Sequence, residues 1–345
     1  MEKESKIMKN KCVLPFIGQD YQSNSPCCLL DHYKNESLDE LISDHNKGLK
    51  SRFCKKCWDQ EDAGAFSKRL AYNSKYSRHL GLSKRDVKIS VIPTGNLCNL
   101  YCVMCFPGAS TSWRKKYSSM YPNENVEKQH ELLLDIDDAQ INRIKDLEHV
   151  EFIGGETLKS FSLWKTLSKI KKTTSFSLQT NGTVVLNTAQ IELLRSFDKF
   201  NICFSVDGYG KIFEYIRQPA KWDQVRDNVL KYIDDFGMNR LSMYLTVNNL
   251  NIMYIDKITL ELFKILPKKI EYNFVTEPDQ FNYKNLPKHV GQVVEKMNPG
   301  FFKTRKIEWI GTDKSILAMK QNLEAQDKFS GLTKESFLPE LFDLI

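Results

Sequence analysis

Pro93-Thr-Gly-Asn-Leu-Cys98-Asn-Leu-Tyr-Cys102-Val-Met-Cys105-Phe-Pro107 comes directly after the apolar run Lys88–Ile92. A short β-branched run closed by Pro, Gly and Asn predicts a strand that ends in a loop. That loop carries three thiols at the spacing C-x3-C-x2-C. Three thiolates held on one loop bind three corners of a four-iron cluster and leave the fourth iron open to a small molecule. A zinc knuckle is the competing reading, but zinc sites pair two Cys couples and close all four positions. No further Cys or His lies nearby downstream, and His130 and His149 belong to other segments. The spacing therefore favours iron–sulfur chemistry.

Outward from this stretch, short runs bounded by Gly, Asn, Asp or Pro predict strands at Lys88–Pro93, His149–Ile153, Ser175–Leu178, Phe200–Val206, Leu241–Val247 and Ile270–Val275. Amphipathic patterns between them predict helices at Ile136–Leu147, Leu158–Lys171, Thr188–Phe197, Trp222–Phe236 and Ile252–Leu266. Asn187-Thr-Ala-Gln190 reads as a helix cap, and Gly237 as a stop after Phe236. Strands alternating with helices predict a parallel sheet, since parallel neighbours need crossovers. An open doubly wound sheet and an incomplete (β/α) barrel both satisfy the alternation. The barrel is favoured by the residues at the strand ends: Cys98–Cys105, then Gly154-Gly155-Glu156, Thr180-Asn181-Gly182 and Ser205–Gly208. Polar and glycine residues at successive strand ends line one rim, where barrel active sites lie.

The chain divides by composition. Residues 1–85 hold five of the nine cysteines, 86–277 the β/α alternation, and 278–345 a polar, helical, cysteine-free tail. The net charge of +7 is spread out, and runs such as Lys169–Lys172 read as solvated helix faces, so nucleic-acid binding is not expected. Met1–Lys11 lacks the apolar centre of a secretory signal, and no stretch reaches the roughly 18–20 apolar residues of a membrane span. The expectation is a soluble, cytoplasmic protein without membrane contacts. In that reducing setting clustered cysteines point to metal rather than disulfides.

Taken together, these residues resemble the radical S-adenosylmethionine (radical SAM) superfamily, and more closely its members with SPASM or twitch auxiliary-cluster domains. The matching sets are Cys98-x3-Cys102-x2-Cys105, Gly154-Gly155-Glu156, Gln179-Thr180-Asn181-Gly182, Ser205-Val206-Asp207-Gly208 and Tyr215-Ile216-Arg217, in the family's order. The resemblance implies an α/β fold: a partial (β/α)6 TIM-like barrel with a Cys-rich N-terminal auxiliary-cluster region and a helical C-terminal tail. It implies a [4Fe-4S] cluster on Cys98, Cys102 and Cys105. It also implies S-adenosylmethionine (SAM) bound through Gly154, Gly155, Glu156, Thr180, Asn181, Ser205, Asp207 and Arg217. The resemblance further implies that an external one-electron reductant drives cleavage of SAM to a 5′-deoxyadenosyl radical, which would take hydrogen from a substrate, foremost a peptide or protein side chain. A nucleotide or small metabolite is the second substrate class, and a non-catalytic, zinc-stabilised binding module is the reading outside the enzymes. No residue is singled out as catalytic.

The residue types suit these roles. Glycines at 154 and 155 allow close backbone approach, Glu156 can accept from the methionyl amino group, Ser205 can reach the ribose, and Arg217 can fork onto the SAM carboxylate. Each has a plainer reading: Glu156 as an acid capping a β-to-α turn, Arg217 as a surface arginine, Thr180-Asn181-Gly182 as an ordinary turn, and Cys203 as a small buried hydrophobe. Two positions depart from the family pattern. Met104 stands where an aromatic residue commonly precedes the third cysteine, and Thr157 replaces the usual proline after Gly-Gly-Glu.

A second set, Cys12, Cys27, Cys54 and Cys57 with Cys28 as a substitute, precedes the barrel. Cys54-x2-Cys57-x3-Glu61-x2-Gly64 with Pro26-Cys27-Cys28 upstream resembles the auxiliary-cluster module, which usually comes after the barrel. The resemblance implies a second [4Fe-4S] cluster there; four thiolates closing around zinc are the alternative.

Overall fold

The computed structural model describes residues 9–20, 24–30, 32–62, 64, 66–126, 135–268 and 270–345. His130 and most of the charged amino-terminal run lie outside the described residues. Seven parallel strands form one sheet in strict chain order: β1 Gly18–Asp20, β2 Ile89–Pro93, β3 His149–Ile153, β4 Ser175–Thr180, β5 Phe200–Ser205, β6 Leu241–Val247 and β7 Glu271–Phe274. The order never reverses, as it must in a doubly wound sheet, so each crossover continues in the same sense and the sheet curls into a half-barrel. The six predicted strands are β2 to β7. β1 is an addition: Gly-Gln-Asp has no alternation to read and is a strand because it pairs with β2, Gly18 opposite Ile89. Arg85 ties it in place, donating to the carbonyl oxygens of Pro15 at 2.9 Å and Gly18 at 2.6 Å.

The helices obey their signals. Asn187 and Gln190 form the reciprocal cap of Thr188–Arg195, and Trp222–Phe236 stops at Gly237, whose φ of 76° suits glycine. Thr111–Met120 and Gly210–Ile216 are not legible in the sequence, since Ser-Trp-Arg-Lys-Lys-Tyr carries no clear apolar period. The tail is helical, with Lys288–Met297 and Asp313–Ser330.

Register sorts the strand side chains into two faces. Val150, Phe152, Phe176, Leu178, Ile202, Phe204, Met243 and Leu245 share one face and pack with Leu163, Leu167, Val225, Val229, Ile258 and Leu262 of the surrounding helices. The concave face carries His149, Glu151, Ser177, Asn201, Cys203, Ser205 and Tyr244. Cys203 is thus buried, as its type suggests, but it lies beside Ser242 on the polar side and outside the apolar core.

The helix Lys68–Lys75 lies against this concave face. Tyr72 donates its hydroxyl to Glu151, Lys68 Nζ stands 3.4 Å from Glu151, and Lys75 Nζ stands 3.2 Å from His149 Nε2. Burial first, then the charges of Lys75 and Lys68, hold His149 down to about 3 from an ordinary 6.5. The unfolded chain therefore gains a proton below pH 6.5 that the folded chain refuses. This contribution to stability is complete above that pH and declines toward pH 3, by about 1.4 kcal/mol per pH unit. Denaturant unfolding at about pH 7 and pH 5 should show a smaller acid loss in His149→Gln than in the parent; equal losses would discount the assignment.

Candidate metal and cofactor site

The three cysteines lie on the loop after β2, all half-buried. Their loop is stitched on both sides of Cys102: Tyr101 N donates to Gln218 O and Val103 N to Ile216 O, each at 2.8 Å. Trp113 Nε1 donates to Cys102 O at 2.6 Å, and Thr111 and Ser112 hydroxyls donate to Cys98 O at 3.0 and 2.8 Å. Leu100 and Val103, buried in the main core, anchor the backbone, and Cys98 and Cys102 pack half-buried against the same core. Burial raises all three thiols, Cys105 to about 12, and the Arg217 charge opposes it at each. Cys102 is raised further by Cys105 and Cys98, so the sulfurs share one locality.

Gly154 and Gly155 receive this loop. Gly155 N donates to Gly95 O at 3.1 Å and Glu156 N to Leu97 O at 2.7 Å. A Cβ on Gly155 would stand 2.6 Å from Leu97 O and 2.8 Å from Asn96 O, within the segment that leads into Cys98. Gly155→Ala must therefore displace the backbone entering the cysteine loop. We expect a loss of about 1–3 kcal/mol, the usual cost of overpacking, read from denaturant unfolding of the metal-free chain.

Glu156 is buried and joins two strand ends. Its carboxylate accepts from Leu158 N at 3.1 Å, Thr180 Oγ1 at 2.8 Å and Asn181 N at 2.7 Å. Burial raises its pKa, with the Asn181 N–H the strongest opposing influence. Asn181 turns its amide toward the cysteine loop, Nδ2 standing 3.2 Å from Asn99 Oδ1 and 3.9 Å from Cys98 Sγ. The Thr180-Asn181-Gly182 turn thus touches the first cysteine.

Asp207, fully buried after β5, accepts from Arg217 Nε at 2.7 Å and from Thr246 N at 2.9 Å. Burial alone would lower the Arg217 pKa, but Asp207 and then Cys102 hold it above its ordinary value. Only Nε is committed, so both Nη groups make no hydrogen bond among the described residues. The Ser205 hydroxyl likewise makes none among them. Asn251, which sequence reading missed, donates to Asp207 O at 3.0 Å and accepts from Asn248 N at 2.9 Å. Asn248 in turn places Nδ2 3.4 Å from Met104 Sδ. The signal was present: Asn248-Asn249-Leu250-Asn251 is another polar run at a strand end.

The amino-terminal set gathers elsewhere. Cys12, Cys27, Cys54 and Cys57 are buried, whereas Cys28 is exposed. The thiols of Cys12, Cys54 and Cys57 act on one another electrostatically, and Cys27 feels Cys57. His45, fully buried and absent from the sequence reading, stands between them, its Nδ1 3.3 Å from Cys12 N and its Nε2 3.6 Å from Cys54 Sγ. Glu61 holds Arg69, which donates to the carbonyl oxygens of Lys9 and Lys11 beside Cys12 at 3.0 Å. Gly64 is left-handed, and a Cβ there would stand 2.2 Å from Thr304 O in the tail. Among the described residues no three Cys, His, Asp or Glu side chains are gathered around a single ion-sized point. No helix among them is long and apolar enough to cross a membrane.

The family model described as Radical SAM superfamily matches residues 92–262, from β2 into the helix before β7. Comparison with curated proteins gives no match. Among solved structures the chain is similar to anSMEcpe with bound AdoMet and the Cp18Cys peptide, at 18% identity, 62% coverage of this chain, 60% of that chain and a TM-score of 0.43. It is also similar to Streptococcus suis SuiB bound to precursor peptide SuiA, at 11% identity, 78% and 59% coverage and a TM-score of 0.39. The chain thus spans about 60% of the length of either. The half-barrel and the family match agree: residues 92–262 carry a domain of the radical SAM superfamily of enzymes.

Proposed function

We propose that the chain binds a [4Fe-4S] cluster on Cys98, Cys102 and Cys105, docks SAM against it, and takes a hydrogen atom from a peptide or protein side chain. One observation carries this reading. The cysteine loop, the Gly154-Gly155-Glu156 turn, Asn181 and Arg217 all meet at one end of the half-barrel, with three thiols and one buried guanidinium sharing a locality. The donor set fits the group, since thiolates are standard cluster ligands and metal binding displaces the protons that burial holds on them. When bound, cluster and SAM together supply the electron and the 5′-deoxyadenosyl radical.

The chain's own residues bind and orient. Asp207 fixes Arg217 through Nε and leaves its two Nη groups for a carboxylate. Glu156 spends its oxygens on Leu158, Thr180 and Asn181, so its part is to hold the rim. Ser205 keeps a hydroxyl for the ribose. The hydroxyls and amides of the concave face suit the polar backbone of a peptide substrate.

For the amino-terminal set we propose a closed auxiliary [4Fe-4S] cluster on Cys12, Cys27, Cys54 and Cys57, with zinc as the alternative occupant. The division at residues 85 and 277, the cytoplasmic setting and the external one-electron reductant belong to the same proposal. The test is anaerobic purification with iron, sulfide and zinc analysis, then reduction with SAM and an assay for 5′-deoxyadenosine. Iron, sulfide and product together are expected. Zinc without sulfide and no product would instead favour the binding module.

A further inference from the structure

Lys116 has no exposed surface, yet its ammonium has no carboxylate within ion-pair distance among the described residues. Nζ donates to Gln326 Oε1 at 2.8 Å and to Gln218 Oε1 at 3.4 Å. It lies 4.9, 5.2 and 5.8 Å from the ring centroids of Tyr101, Trp113 and Phe329. Every one of these neighbours is uncharged. Amide oxygens and aromatic faces soften a buried cation but do not neutralise it, and an uncompensated buried charge costs several kcal/mol.

The cage backs onto the cysteine loop. Tyr101 immediately precedes Cys102, Trp113 Nε1 donates to Cys102 O at 2.6 Å, and Gln326 Nε2 donates to Val103 O at 3.0 Å. Three walls of the lysine pocket are therefore fastened to the backbone around the second cysteine. Burial lowers the Lys116 pKa to about 8, opposed first by Cys102, which carries charge only once it loses its proton, and then by Asp327. Asp327 already accepts from Tyr215 OH and Lys334 N, both at 2.8 Å. The locality missing an anion is the one holding three thiols.

We infer that Lys116 is the fixed counter-charge of the cluster and thiolates at Cys98, Cys102 and Cys105, and that it favours the one-electron-reduced state of that cluster. The inference rests on the cluster reading above. On reduction one electron enters from an external donor, no bond forms or breaks, and the assembly gains one negative charge. A fixed cation nearby stabilises the product over the reactant. Lys116 acts through its field rather than by touching substrate or cofactor, so it is a positioning residue.

The test uses the full chain, reconstituted anaerobically, as the parent, Lys116→Met, Lys116→Arg and Gln326→Leu. Redox titration would track the electron paramagnetic resonance signal that changes on adding SAM, which separates this cluster from any amino-terminal one. Lys116→Met should move the midpoint potential to a more negative value, while Lys116→Arg and Gln326→Leu, which keep the charge, should stay near the parent. An unmoved midpoint in Lys116→Met, or an equal displacement by Gln326→Leu, overturns the inference. Thermal unfolding gives an independent reading. Metal-free Lys116→Met should be at least as stable as the metal-free parent and should gain less on reconstitution. A metal-free Lys116→Met that fails to fold counts against the inference. A parent that takes up no sulfide removes the cluster reading and this inference with it, whereas a loaded parent with an unmoved variant removes only this inference.

Discussion

Replacing Cys98, Cys102 and Cys105 together with alanine should abolish 5′-deoxyadenosine formation and remove one cluster's iron and sulfide from the anaerobically prepared chain. The loss should be complete, because no other thiol can take over: Cys203 is fixed on β5, and the remaining cysteines belong to the amino-terminal set. The fold should persist. The thiols are only half-buried, and the loop is held by Leu100 and Val103 in the core and by backbone bonds to Ile216 and Gln218. An unchanged far-ultraviolet circular dichroism spectrum beside a lost product signal is the expected pair of results. Turnover that survived the triple replacement would remove the basis of the proposed function.

The second large effect falls on stability. Asp207→Ala leaves the Arg217 guanidinium buried without its carboxylate and orphans Thr246 N, and breaking such a pair costs about 3–5 kcal/mol. Side-chain exposures of 12% for Arg217 and 0% for Asp207 mean that solvent cannot screen the loss. Arg217→Ala alone should also destabilise, and the double variant should cost less than the sum, since the two residues act as a unit. Urea unfolding of all four metal-free chains gives this cycle. Additive losses would show the pair to be independent and would leave Arg217 without the anchor that aims it.

Much of the fold is legible because its signals are local. β2 to β7 are short β-branched or aromatic runs, and Asn187–Gln190 and Gly237 mark the ends of helices whose capping geometry needs them. β1 is not legible, because Gly18–Asp20 becomes a strand only through its neighbour. For the candidate site, local spacing singles out the cysteines, but the partners of each group come from distant parts of the chain. Nothing in the sequence places Asn181 against Cys98, Asn251 under Asp207 or His45 between Cys12 and Cys54. Glycine was read as permitting ligand approach. The structure packs Gly155 against the loop that leads to Cys98.

The origin of β1 has a practical consequence. A fragment beginning after residue 85 would lose the partner of β2, and with it the Lys68–Lys75 helix that meets Glu151 and His149. Ile89, Val91 and Ile92 would then head an unpaired, largely apolar sheet margin, the kind of template on which chains zip together into aggregates. Excised barrels of this protein should therefore precipitate or self-associate, and expression work should begin from chains that retain the cysteine-rich amino-terminal region.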